Sequence, residues 1–124
     1  PQPTLRDTGL ARQCDLLDDL VARGQTPAVL DARLLLLDPR GVLKQLCGHL
    51  GMAFEPAMLH WPAGPRAADG VWAKHWYQSV HRSTGFMRYT EKRDPFPAFL
   101  EPLLAECRPY YARLLARALR GDRG

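Results

Sequence analysis

Apolar residues recur at helical spacing over residues 8–23, where Leu10, Cys14, Leu17 and Val21 form one stripe and Asp15, Asp18 and Asp19 lie off it. Thr8 supplies a cap acceptor and Gly24 a stop. After Gln25-Thr26-Pro27 the period changes. Ala28-Val29-Leu30-Asp31-Ala32 is a short apolar run behind a tight loop, the pattern of a buried parallel strand. Asp38-Pro39 joins an N-cap acceptor to a first-turn proline and predicts a helix. Its inward face is Val42, Leu43, Leu46, Cys47 and Leu50, and Gly51 closes it. Glu55-Pro56 opens a short helical turn through Leu59.

Residues 61–70 hold two prolines and two glycines and predict a loop. A helix is expected over 71–82, bringing Trp72, His75, Trp76 and Val80 to one side, with the i, i+4 spacing of the two tryptophans favouring core packing. Ser83-Thr84-Gly85 breaks it, and 86–97 is irregular. A last helix over about 98–120 uses Phe99, Leu103, Cys107, Tyr110, Leu114 and Leu119 as its core stripe, bends at Pro109, and carries Tyr110-Tyr111 as a partly buried pair. The predicted strand has no evident partner, and its backbone groups need one. Either Leu34–Leu37 pairs with it or the partner strand comes from elsewhere. The second case makes the chain part of a larger α/β unit and leaves a homodimer or strand exchange open.

Composition fits a globular chain: 124 residues, 46% hydrophobic and 24% charged, enough for one domain or sub-domain over 1–124. A disordered tail is excluded, since too much of the chain favours burial. The longest aliphatic run, Leu34–Leu37, is far short of a bilayer span, so no membrane partner is expected. Pro1-Gln2-Pro3-Thr4 shows no basic-then-apolar opening of a secretion signal. Cys14, Cys47 and Cys107 lack CxxC spacing and sit in apolar helical patterns, which suits buried thiols in a reducing cytoplasm. His49, His60, His75 and His81 show neither i, i+4 pairing nor HExxH, so no metal is expected.

Charge is unevenly placed. Residues 1–62 carry six Lys/Arg against seven Asp/Glu, whereas 63–124 carry eleven against six, for an overall +4. Fourteen of the seventeen basic residues are arginine, whose planar fork of donors suits phosphate and sulfate. The basic residues form no stripe interleaved with aromatics, which argues against a nucleic-acid partner.

Residues 31–86 carry a longer pattern. The string Asp31-Ala32-x-x-Leu35-Leu36-x-Asp38-Pro39-x-x-Val42-Leu43-x-x-Leu46-Cys47-x-x-Leu50-Gly51-x-x-Phe54-x-Pro56-x-Met58-Leu59 resembles the C-terminal half of P-loop sulfotransferases. Its continuation through Trp61-Pro62-x-Gly64-Pro65, Asp69-Gly70-x-Trp72, Trp76-Tyr77-x-x-Val80 and Ser83-Thr84-Gly85-Phe86 is similar to a bacterial sulfotransferase-like branch. The resemblance implies an α/β fold: the mainly helical C-terminal half of a three-layer domain, with one or two short parallel-type strands. It also implies transfer of a sulfuryl group from phosphoadenylyl sulfate (PAPS) to a small-molecule hydroxyl or amine, without a metal. The family's glycine-rich phosphate loop is absent from these residues and is expected upstream, so the chain is not expected to act alone.

The family's second donor contact, a loop of Arg, Ser, Lys and Gly type, finds its candidate in Arg82-Ser83-Thr84-Gly85, with Lys74 nearby. Arg82 can hold a phosphate bidentately, two hydroxyls can donate, and glycine permits close backbone approach. A plain helix end closed by Gly85 is the competing reading. Trp72, Trp76 and Tyr77 could instead stack on adenine or line an acceptor pocket. His75 and His81 are the candidates for a base toward the acceptor. The alternative function is a non-catalytic helical module that has lost the P-loop and binds a protein partner.

Overall fold

A computed structural model describes residues 1–121. The chain divides into two compact units, the first made of residues 1–31 and 90–119 and the second of 32–89 with 120–121. Among the described residues the chain is mostly helical.

In the first unit, the short helix α1 (Leu5–Thr8) ends at Gly9, whose φ of +71° is left-handed, and α2 (Leu10–Ala22) follows directly. The predicted stripe is real but narrower than expected. Cys14 and Leu17 are buried, whereas Val21 is exposed. Cys107 is half-buried. The expected helix over 98–120 is a 3₁₀ turn, Ala98–Leu100, followed by a helix over Glu101–Leu115 (here α7). α2 packs against α7, and the Cys14 thiol reaches the Tyr110 carbonyl at 3.5 Å. Phe99, expected in the core stripe, is exposed because it belongs to the turn before α7. After Leu115, Arg117 and Ala118 tighten to i→i−3 bonds and end the helix. Tyr111 is exposed where partial burial was expected, and its hydroxyl donates to Asp31 at 2.6 Å.

The strand expected over 28–32 shrinks to one isolated parallel bridge, Val29 with Ala118, in which the Leu119 N–H donates to the Val29 carbonyl at 2.9 Å. Val29 thus has a partner within the chain. Leu34–Leu37 does not pair with it, because Ala32–Leu37 coils into a helix (α3), as a run of leucines readily does. No run of sheet ladder is present among the described residues.

In the second unit, α4 (Pro39–Leu50) begins and ends where the sequence predicts. Asp38 Oδ1 accepts the Gly41 N–H at 3.0 Å and Pro39 occupies the first turn. At the other end Gly51 turns left-handed (φ +70°) while the Met52 N–H donates to the Cys47 carbonyl at 2.8 Å. Val42 is fully buried and Cys47 nearly so, and burial of such a side chain contributes about 1.5–3 kcal/mol. Leu50, expected on the same face, lies exposed in the last turn. α4 packs on the 3₁₀ turn Pro56–Leu59, with Cys47 Sγ 3.9 Å from Met58 Sδ. Removing the cap by Asp38→Ala is expected to lower unfolding stability by about 1–2 kcal/mol, read as a shift in the urea midpoint at unchanged slope.

The helix expected over 71–82 is two short ones, α5 (Ala73–Trp76) and α6 (Gln78–Arg82), meeting at Tyr77. Ala73 is their one buried residue, so the expected core packing of Trp72 and Trp76 does not occur: they are 65% and 73% exposed. Pieces this short bury a single small side chain and leave the i, i+4 tryptophan ridge on the surface.

Candidate functional site

A groove of about 650 Å³ lies in the second unit between the start of α4 and the segment that follows α6. One wall is Asp38, Pro39 and Arg40; the other is Arg82-Ser83-Thr84-Gly85-Phe86. The sequence-predicted loop therefore lines a real depression.

Local bonding explains how that wall is held. His60 and Gly85 form an antiparallel bridge, and the Trp61 N–H donates to the Thr84 carbonyl at 3.0 Å. A Cβ at position 85 would stand 3.0 Å from the Leu59 carbonyl oxygen, so glycine is what lets the two segments approach. The Trp61 indole N–H donates to Ser83 Oγ at 2.8 Å, and its ring meets Phe86 edge-on at a centroid distance of 5.4 Å. Ser83 in turn donates to the Val80 carbonyl at 2.6 Å. Its single hydroxyl hydrogen is thus committed to the backbone, which leaves Thr84, exposed at the groove, as the hydroxyl donor of the pair.

Electrostatically the groove favours anions. Arg40 and Arg82 outnumber the one carboxylate, Asp38, and residues 70–90 contain neither Asp nor Glu. Among the described residues neither arginine takes part in an ion pair, while Arg40 stands over the Phe54 ring at 5.7 Å.

The other candidates are placed elsewhere. Lys74 lines a second depression with Arg66, Asp69, Gly70 and His81, not the groove beside Arg82. His81 lies within that depression, its Nε2 2.8 Å from Asp69 Oδ2 and its ring edge-on to Tyr77 at 6.0 Å. The Arg66 backbone N–H, and after it the His81 ring, hold the Asp69 carboxyl below the usual carboxylate range. His75 is exposed, tilted against Trp72 at 6.5 Å. Among the described residues no cluster of His, Cys, Asp and Glu is arranged for a metal, and no helix is long and apolar enough to cross a membrane.

Sequence reasoning missed the opposite wall. Asp38-Pro39 was legible as a cap, and Arg40 beside it was the available signal, but nothing in the spacing brings position 40 to position 82. Leu37, Leu59, His60 and Met87 complete the lining.

Comparison with known proteins places this chain in a family. The family model described as Sulfotransferase domain matches residues 4–118. Two curated proteins of Arabidopsis thaliana are similar. Branched-chain-amino-acid aminotransferase-like protein 2 is 38% identical over 108 residues, covering 87% of this chain and 19% of its own length. Branched-chain-amino-acid aminotransferase-like protein 1 is 41% identical over 109 residues, covering 88% and 20%. The chain therefore spans about a fifth of the length of these relatives. Both are plant proteins, so the match supports the family at large and not the bacterial branch expected from residues 61–86. No solved structure matches.

Proposed function

The chain belongs to the sulfotransferase-domain family, and on that premise we propose that the groove between Arg40 and Arg82 receives the anionic end of a PAPS-type sulfuryl donor. The observation that carries this reading is a groove lined by two arginines that take part in no ion pair among the described residues, beside a glycine-closed segment with an exposed hydroxyl. These residues fit a phosphate or sulfate group: Arg82 supplies a planar fork, Arg40 a second positive charge, Thr84 a donor, and Gly85 an unobstructed backbone. A bound donor would supply the transferable sulfuryl group, and the acceptor would be a small-molecule hydroxyl or amine.

The chain's own contribution is binding and orientation. Arginines that hold the leaving phosphate stabilise charge as it develops there, which is how positioned cations assist the analogous phosphoryl transfers. The 124 residues contain no glycine-rich phosphate loop, so the proposed role is one wall of a donor site in a three-layer P-loop domain, without activity by this chain alone. The plant relatives' name speaks of amino transfer, but the sulfotransferase-domain match covers residues 4–118 here, whereas the chain covers only about a fifth of those relatives.

Titration with adenosine bisphosphate, followed by backbone amide shifts, tests the reading. Saturable shifts at residues 38–40 and 82–86 are expected, with affinity falling as salt rises. No shift there at any concentration would overturn it. The exposed ridge of Trp72, Trp76 and Val80 then favours the second reading, a helical interaction module, which predicts concentration-dependent self-association or capture of a protein partner.

A further inference from the structure

The loop after Trp61 is tied to the end of α6 at His81, through its ring and its carbonyl, and is braced by short bonds within the loop. Asp69 Oδ2 accepts the Arg66 N–H at 2.7 Å and lies 2.8 Å from His81 Nε2. The Gly64 N–H donates to the His81 carbonyl at 2.6 Å. The Arg66 guanidinium donates to the carbonyls of Gly64 and Pro62, each at 2.6 Å. The His81 and Asp69 side chains are only 21% and 22% exposed, so the contact is shielded from much of the solvent. His81 immediately precedes Arg82, and the same loop begins at Trp61, whose indole N–H holds Ser83. The tie and the groove wall therefore share one stretch of backbone.

We infer that Asp69 and His81 are positioning residues, holding the Arg82–Gly85 wall in its anion-receiving form. The inference rests on the reading of the groove as an anion site. The charged and titratable groups facing His81 are Asp69 and Arg66 from the loop, Lys74 in the same depression, and Tyr77 one turn back. An ionised carboxylate as acceptor makes its bonds charge-assisted, roughly twice as strong as those between neutral groups. The tie loosens in acid, when Asp69 takes up a proton. Because the Asp69 carboxyl is held below its usual range, its contribution is complete above that range and lost only as pH falls through the lowered value.

The test uses inorganic sulfate at neutral pH, with amide shifts of Thr84 and Gly85 as the binding readout and hydrogen exchange of the Gly64 amide as the readout of the tie. Asp69→Asn is expected to bind sulfate about threefold more weakly than wild type, with faster Gly64 exchange, corrected for intrinsic rates. His81→Ala is expected to lose binding to the same extent, whereas His81→Gln, whose amide can keep the bond, is expected to restore most of it. Equal binding by His81→Ala and wild type, or no recovery in His81→Gln, overturns the inference. So does unchanged Gly64 exchange in Asp69→Asn. Absence of sulfate binding by wild type would instead sink the groove reading, while Gly64 exchange still decides whether the pair holds the wall.

Discussion

Arg82→Ala is expected to weaken adenosine bisphosphate binding at least about tenfold, measured by calorimetry at low salt. Charge-assisted bonds from a guanidinium to phosphate are each worth about 1.5–3 kcal/mol once the ligand covers them, and the side chain has no ion-pair partner among the described residues to absorb its loss. Arg82→Lys keeps the charge but loses the fork, so an intermediate affinity is expected. Because Arg82 is exposed at the end of α6, neither change should move the unfolding midpoint appreciably. Wild-type affinity in Arg82→Ala would place the anion elsewhere and remove the main support for the functional reading.

The second large effect is on stability. Gly121→Ala is expected to lower unfolding stability by about 2–4 kcal/mol, read from urea denaturation. Gly121 is buried with φ +63°, a left-handed conformation costly for alanine. Its N–H donates to Gln45 Oε1 at 2.9 Å, and its carbonyl accepts from Gln45 Nε2 at 3.0 Å. A Cβ there would collide with the Asp38 carboxylate and stand 3.2 Å from the Val42 backbone nitrogen. Those are the cap and the most deeply buried turn of α4, so one methyl group would disturb both. A midpoint equal to wild type would mean that this backbone does not rest on α4.

Local chemistry made much of the second unit legible. Asp38-Pro39 and Gly51 bracket α4 because a cap acceptor, a first-turn proline and a left-handed glycine each act within a few residues. Pro and Gly likewise announced the loop over 61–70, and Ser83-Thr84-Gly85 the end of α6. The loop candidate Arg82–Gly85 came from residue chemistry plus resemblance, and it does line the groove.

Where reading failed, a distant partner was involved. Residues 28–32 looked like a strand because a short apolar run follows a tight loop there, but strand length depends on what pairs with it, and among the described residues only 118–119 do. Trp72 and Trp76 had core spacing, yet spacing says nothing about whether another element covers that face. Lys74 and Arg82, close in sequence, open into different depressions because two short helices rotate them apart.

Caps, breaks, the helical stripes and the arginine-rich second half were thus set by composition and short-range order, since their energetics involve neighbours within a turn or two. The opposing Arg40 wall, the bond from the Trp61 indole to Ser83, the Asp69–His81 tie and the tight seat of Gly121 against α4 arose from packing. Each joins residues 12 to more than 80 positions apart, and no local pattern encodes such a meeting.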